Sequence, residues 1–123
     1  MNVGIVGSRN FTDVQQLTRV MDAWGHARVT SVISGGAIGA DALGAEWARA
    51  NGLATVVHLP SRRYGIPQGY FERNSLIVRD SDILMAFFGP GQPPSVNKSG
   101  TMDTVRKALA KRIQVHLYFQ GEP

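Results

Sequence analysis

The sequence predicts a three-layer α/β/α domain on a five-stranded parallel sheet, and three observations carry that expectation. Short apolar or β-branched runs alternate along the whole chain with segments whose apolar residues recur at helical spacing. Such alternation specifies right-handed crossover units and a parallel sheet covered on both faces. The 123 residues fit one domain, placed at 1–118 with a tail at 119–123, since domains usually run to roughly 100–200 residues. Hydrophobic residues at 43% and charged residues at 18% describe a chain with a real core to bury. Five strands suggest the order 3-2-1-4-5, whose switch point lies between the first and fourth strands, with ligands expected at the carboxyl ends beside it.

The elements follow in order. Val3-Gly4-Ile5-Val6 reads as a short buried strand, followed by the loop Gly7-Ser8-Arg9-Asn10-Phe11. Thr12-Asp13-Val14-Gln15 has the spacing of a capping box, with Thr12 capping and Gln15 reaching back, and Gly25 ends the helix after Trp24. Val14, Leu17, Val20, Met21 and Trp24 form its apolar stripe. Val29 to Ile33 is the second strand, Ala40 to Asn51 the second helix, and Ala54 to Leu59 the third strand, closed by Pro60. Ser61 to Gln68 mixes Arg62, Arg63, Tyr64, Gly65 and Pro67, a composition that suits a loop lying over a site. The third helix is expected over Gly69 to Ser81, with Phe71, Ser75, Leu76 and Val78 partly buried. Ile83 to Phe88 is a fully buried fourth strand, and Gly89 to Lys98 is the longest irregular stretch and a candidate mobile loop. Ser99-Gly100-Thr101 opens a fourth helix reaching about Arg112, and Gln114 to Tyr118 closes the sheet. Leu117 to Gly121 resembles the core of a protease-tag site without its usual upstream residues, so it is left out of the functional reasoning.

Composition narrows the function classes. With no cysteine, disulfides, thiolate chemistry and cysteine-type zinc sites are excluded, and His26, His58 and His116 are scattered singly, so neither a metal nor a cofactor is expected. No apolar run approaches the roughly 18 residues of a membrane span, and Met1-Asn2-Val3 opens a strand, so a cytoplasmic protein without membrane contact is expected. A net charge of +4 suits an anionic partner, and equally serves solubility.

Three small-residue loops fall at the carboxyl edge: Gly7-Ser8-Arg9, Ser34 to Asp41, and Phe88 to Thr101. The second, Ser34-Gly35-Gly36-Ala37-Ile38-Gly39-Ala40-Asp41, joins a strand to a helix N-terminus. Its glycines permit positive φ and close approach of a ligand, while the unpaired first-turn amides suit an anion. A coincidence of ordinary turns explains one such loop more readily than three on one edge.

Gly7-Ser8-Arg9 with Phe11 and Asp13, Ser34-Gly35-Gly36-Ala37 with Gly39-Ala40-Asp41, Arg73-Asn74, and Gly100-Thr101 with Asp103 together resemble the SLOG superfamily, in particular its YspA or cpYpsA-related branch. The resemblance spans Met1 to about Tyr118 and implies a Rossmann-like domain that binds nucleotides or nucleotide-derived ligands. Members include cytokinin-activating phosphoribohydrolases, DNA-processing A proteins that hold single-stranded DNA, and sensor domains of antiviral systems. The hydrolases carry Pro-Gly-Gly-x-Gly-Thr-x-x-Glu. Here Asn97-Lys98-Ser99 precede Gly100-Thr101, Thr104 stands at the glutamate position, and the nearest carboxylate is Asp103, one residue earlier. Arg73 matches the arginine that the hydrolases use with that glutamate. A shift of one helical position rotates a side chain by about 100°.

On this basis the amides of Gly35, Gly36, Gly39, Gly100 and Thr101 are expected to hold phosphate, with Ser8, Ser34, Ser99 and Thr101 adding hydroxyls and Arg9 a charge-assisted contact. Gly7, Ala37, Asp41 and Asn74 complete the expected ligand-binding set. Arg73 and Asp103 are the catalytic candidates, Arg73 pairing with phosphate or orienting a carboxylate. Asp41 and Asp103 have an alternative use, since an acid in a first helical turn is favoured by the helix dipole by about 0.3–1 kcal/mol without any ligand. Arg62, Arg63, Arg106, Lys107, Lys111 and Arg112 read as a solvated face, Trp24 and Trp47 as packing residues, and His58 as a lesser acid–base candidate. Three functions stay open: a nucleotide-binding sensor or sequestering module, for which oligonucleotide binding is expected to be weak, an N-glycosidase acting on nucleoside monophosphates, and a single-stranded nucleic-acid binder. The first is preferred because the phosphate loops are intact while the hydrolase acid is displaced. A homodimer paired through the outer helices is expected, because those helices carry Leu, Trp and Met.

Overall fold

The computed structural model of the chain describes residues 1–25, 28–63, 65, 68–90 and 100–121. Strands β1 (Asn2–Gly7), β2 (Ser31–Ser34), β3 (Ala54–Val57), β4 (Ile83–Phe88) and β5 (Gln114–Phe119) alternate with helices α1 (Val14–Trp24), α2 (Ala40–Ala50), α3 (Gln68–Asp80) and α4 (Gly100–Ala110). All strand pairs are parallel, in the order β3-β2-β1-β4-β5. Gly4 pairs with Ile33 on one side and Leu84 on the other, which puts β1 at the centre.

Each sheet face has its own core. On one, Leu17 and Met21 of α1 and Trp47 and Ala48 of α2 pack on Val3, Ile5, Met85 and Phe87. On the other, Ile77 and Val78 of α3 and Val105 and Ala108 of α4 pack on Val6, Ile33, Leu84 and Phe88. β4 serves both cores and is buried along its whole length, which is why its sequence is an unbroken apolar run. Gly44 lets α2 lie close to the sheet, since a β-carbon there would sit 2.6 Å from Ile5 Cγ2.

Several local expectations are corrected. Asp13, not Thr12, caps α1, accepting a hydrogen bond from the Gln16 amide at 3.0 Å. Thr12 is held elsewhere: its amide donates to Gln120 Oε1 and its hydroxyl accepts from Gln120 Nε2. The α1 stripe loses Val14, which is exposed, and gains buried Gln16, whose Nε2 donates to the Phe119 carbonyl. In α3, Phe71 and Ser75 are exposed, and Arg73, Asn74, Ile77 and Val78 form the buried face. β2 begins at Ser31 and β3 stops at Val57. β5 runs on through Phe119, whose ring stacks on Phe88 at 5.4 Å, and the Gln120 amide donates to the Phe88 carbonyl. The end of the chain from Phe119 to Gln120 is thus tied into both the sheet and the start of α1.

Trp47 and Met21 are buried and Trp24 packs against the core, so most of the large apolar side chains of the outer helices are used inside the domain. Among the described residues no helix is long and apolar enough to cross a membrane.

Candidate functional site

Three of the loops at the carboxyl edge open onto one cleft of about 730 Å³, bounded by Gly7–Asn10, Gly35–Ala37, the start of α4, and one face of α3. The volume suits a small organic ligand, for which roughly 300–1,000 Å³ is usual.

α3 supplies the cleft's organising pair. Arg73 and Asn74 are adjacent and both buried. Arg73 Nη1 donates to the Gly35 carbonyl at 2.7 Å and its Nε donates to Asn74 Oδ1 at 2.9 Å. Asn74 Nδ2 in turn donates to the Gly100 carbonyl and to Asp103 Oδ2, each at 3.1 Å. The pair therefore fixes the loop after β2 relative to the N-terminus of α4. Burial pulls the Arg73 guanidinium below its usual pKa, the nearby Arg9 charge acts in the same direction, and Asp41 opposes both.

Glycine is required where these parts meet. A β-carbon on Gly35 would lie 2.5 Å from Arg73 Nη1 and 2.8 Å from Asp41 Oδ2, so both charged groups close on the same backbone position. Gly39 has φ 85°, and a β-carbon there would lie 2.4 Å from the Ser8 carbonyl oxygen. Gly39→Ala should therefore cost more than about 2 kcal/mol, adding backbone strain to a clash with main chain that cannot swing away. Urea denaturation checks this, and a change under 0.5 kcal/mol would contradict it.

Asp41 is 5% exposed and still reaches the cleft wall. Its Oδ2 accepts from the Ala37 amide at 3.3 Å. Burial pushes its carboxyl up to about 6, while hydrogen bonding from Ala37, the charge of Arg73, and the amides of Gly35 and Gly7 pull the other way. The amides of the glycine loop are thus turned toward a carboxylate of the protein itself.

The other expected site residues divide. Gly7, Ser8, Arg9, Gly35, Gly36, Ala37, Asp41, Arg73, Asn74, Gly100 and Thr101 all border the cleft. Ser8 is buried and its hydroxyl accepts from the Gly89 amide at 2.7 Å, tying the loop after β1 to the end of β4. Ser34 is buried at the end of β2 and Gly39 packs under the Ser8–Arg9 backbone; neither borders the cleft. Ser99 lies outside the described residues, as do 91–98 of the long loop and Tyr64 and Pro67 of the loop after β3.

Asp103 also stays off the cleft wall. Lys107 Nζ donates to its Oδ2 at 2.5 Å and to the Phe71 carbonyl at 2.9 Å, so Lys107 belongs to this network as well as to a solvated face. One position on, buried Thr104 borders the cleft, its hydroxyl donating to the Gly100 carbonyl at 3.0 Å. His58 is paired with Asp80 at 2.6 Å and is likewise not a cleft residue.

The sequence reading missed an apolar side to the cleft, made by Leu59, Pro60, Tyr70 and Ile77. Its signal was present: Tyr70, Arg73, Asn74 and Ile77 follow i, i+3, i+4, i+7 spacing, one face of a helix. The Arg73 guanidinium lies over the Tyr70 ring at 5.4 Å, which links the apolar and charged halves.

Solved structures resemble the whole fold. DNA processing protein A from Helicobacter pylori, described as binding single-stranded DNA, superposes with a TM-score of 0.71 at 20% identity, over 95% of this chain and 64% of that one. DNA processing protein A from Streptococcus pneumoniae superposes with a TM-score of 0.59 at 15% identity, over 95% of this chain and 58% of that one. The chain thus spans less than two thirds of either protein, and at these identities the likeness is one of fold. No curated protein matches the sequence. The model of the YspA, cpYpsA-related SLOG family matches residues 1–64, which carry β1 to β3 and the first two glycine loops. The chain belongs to that SLOG family.

Proposed function

We propose that the cleft binds a nucleoside monophosphate or a related nucleotide-derived molecule, and that the protein acts as a sensor or sequestering module. One observation carries the reading: Arg73 and Asn74 hold two glycine-containing loops around a cleft with a cationic side and an apolar side. Phosphate fits at the start of α4, where the first-turn amides of Gly100 and Thr101 and the exposed Arg9 side chain favour an anion. A base fits against Tyr70, Leu59 and Pro60, where an aromatic ring and aliphatic carbons offer a stacking surface.

Thermal denaturation with AMP, GMP, CMP, UMP, ADP-ribose and cyclic nucleotides tests the proposal. A ligand at a hundredfold excess over Kd adds about 2.7 kcal/mol to stability, which for a domain of this size raises Tm by about 10 °C. A panel that leaves Tm unmoved contradicts the reading.

The placement of Asp103 favours binding over hydrolysis. Splitting an N-glycosidic bond builds positive charge on the sugar, and a carboxylate beside it must stabilise that charge or activate water. Thr104 faces the cleft where such an acid is wanted, and Asp103 is committed to Lys107 and Asn74. Wild-type protein should release no free base from the four monophosphates over hours at high concentration. Chromatographic detection of base release that Asp103→Asn abolishes would establish the hydrolase instead.

The Helicobacter pylori neighbour motivates a test of the nucleic-acid alternative. Tight single-strand binding neutralises several phosphates and weakens with salt, by a slope of roughly −0.7 per contact. A dT oligomer should bind weakly and be lost near physiological salt; tight binding there would favour the polynucleotide.

A further inference from the structure

Strand order fixes the sequence of chemical environments along the cleft. The loop after β3 brings Leu59 and Pro60 to one end, the loops after β2 and β1 come next, and α4 follows β4 at the other end. The Tyr70 ring stands beside the Arg73 guanidinium at 5.4 Å, and Gly100 and Thr101 form the polar end. Asp41 belongs to the middle, because its carboxylate touches the Ala37 amide and its charge is modulated by the amides of Gly35 and Gly7, the ends of the two central strands.

The Gly35–Ala37 loop therefore differs from an empty anion nest. A bare set of glycine-loop amides attracts phosphate, whereas a loop whose amides already face a carboxylate offers the ligand an acceptor and a negative charge. The partner such a group selects is a hydrogen-bond donor, and a second phosphate is disfavoured there by like charge. Arg73 offsets part of that charge but leaves the acceptor open, since its Nη1 and Nε donate to the Gly35 carbonyl and Asn74 Oδ1.

From this arrangement, and resting on the nucleotide reading above, we infer that Asp41 accepts a hydrogen bond from a sugar hydroxyl and selects ribonucleoside monophosphates over their deoxy counterparts. In a nucleotide the sugar is the piece between base and phosphate, and Asp41 lies between the apolar end and the α4 end. An exocyclic amino group of the base is the other donor of the right sign, and it would have to leave the apolar end to reach Asp41. Selection by a carboxylate carries a large factor, because the analogue lacking the hydroxyl loses a charge-assisted hydrogen bond while still displacing water from the carboxylate.

Calorimetric titration of wild-type protein tests this with the tightest-binding monophosphate of the panel, its 2′-deoxy and 3′-deoxy forms, and IMP beside AMP for the amino group. Loss of one hydroxyl should weaken binding about 10- to 100-fold, which corresponds to about 1.4–2.8 kcal/mol, while IMP and AMP bind alike. In Asp41→Asn the ribo and deoxy forms should converge to within about threefold, because a neutral amide replaces the charged acceptor. The wild-type comparison stands whether or not that variant folds. If the ribonucleotide binds and both deoxy forms bind within twofold of it, the assignment of Asp41 fails while nucleotide binding stands. A selective loss for IMP would reassign Asp41 to the base and overturn the sugar contact. If no monophosphate binds, the nucleotide reading itself has failed and this inference falls with it.

Discussion

Arg73→Ala is expected to destabilise the domain by about 3–5 kcal/mol and to abolish ligand binding, because one side chain both satisfies a buried carbonyl and faces a buried acid. Truncation leaves the Gly35 carbonyl without its 2.7 Å donor and frees Asn74 Oδ1. It also removes the positive charge that favours the buried Asp41 carboxylate. Arg73→Lys restores a charge but not two donors fixed in one plane, so it should recover less than half of the loss. Urea denaturation of both variants reads this directly. A loss under 1 kcal/mol for the alanine variant would mean that the two loops do not depend on α3 for their spacing.

The second large effect is a pH dependence centred on Asp41. Its carboxyl is raised from 3.8 to about 6, chiefly by burial, so the folded state holds a proton that the unfolded chain has already lost between those two values. Stability from this group is therefore fully present below about pH 4, declines as pH rises, and reaches its floor just above pH 6. Two pH units correspond to about 3 kcal/mol at 1.36 kcal/mol per unit. Asp80 contributes with the opposite sign, since hydrogen bonding from Arg79 lowers its pKa. The difference between wild type and Asp41→Asn isolates Asp41. That difference should shift by about 2–2.5 kcal/mol in favour of the variant between pH 4 and pH 7. A flat difference would show that the carboxylate is well solvated in the cleft.

Much of the fold was legible because its signals are local. Ile83 to Phe88 was recognisable as a doubly covered strand from its unbroken apolar run, and its boundaries agree with β4. The parallel order follows from strand–helix alternation, which leaves few other topologies. What escaped was long-range. Thr12 has the spacing of a cap, and its bonds go instead to Gln120, a residue 108 positions away. The strand end at Phe119 could not be separated from a tail because its stacking on Phe88 is a tertiary contact.

The site was legible in outline and less so in role. The glycine loops, Arg73 and Asn74 were all identifiable, and the structure brings them to one cleft. A shift of one helical position turns Asp103 away from the point that the hydrolase glutamate faces, and Thr104 borders the cleft in its place. Asp41 stayed open between two roles, because a first-turn acid looks the same in sequence whether it complements a dipole or lies under a glycine loop. Tyr70 was missed because α3 was read from Phe71, Ser75, Leu76 and Val78, a set that mixes exposed residues with the buried face.

The most direct test of the central claim is a titration of isotopically labelled protein with AMP, GMP, CMP or UMP, followed by amide chemical-shift mapping. Nucleotide binding in the cleft predicts the largest shifts at Gly7 to Asn10, Gly35 to Ala37, Tyr70 to Asn74 and Gly100 to Thr104, with the outer strand Gln114–Phe119 unmoved. Saturating nucleotide that leaves these amides in place, or shifts that gather on β5 and the outer faces of α1 and α2, would contradict it.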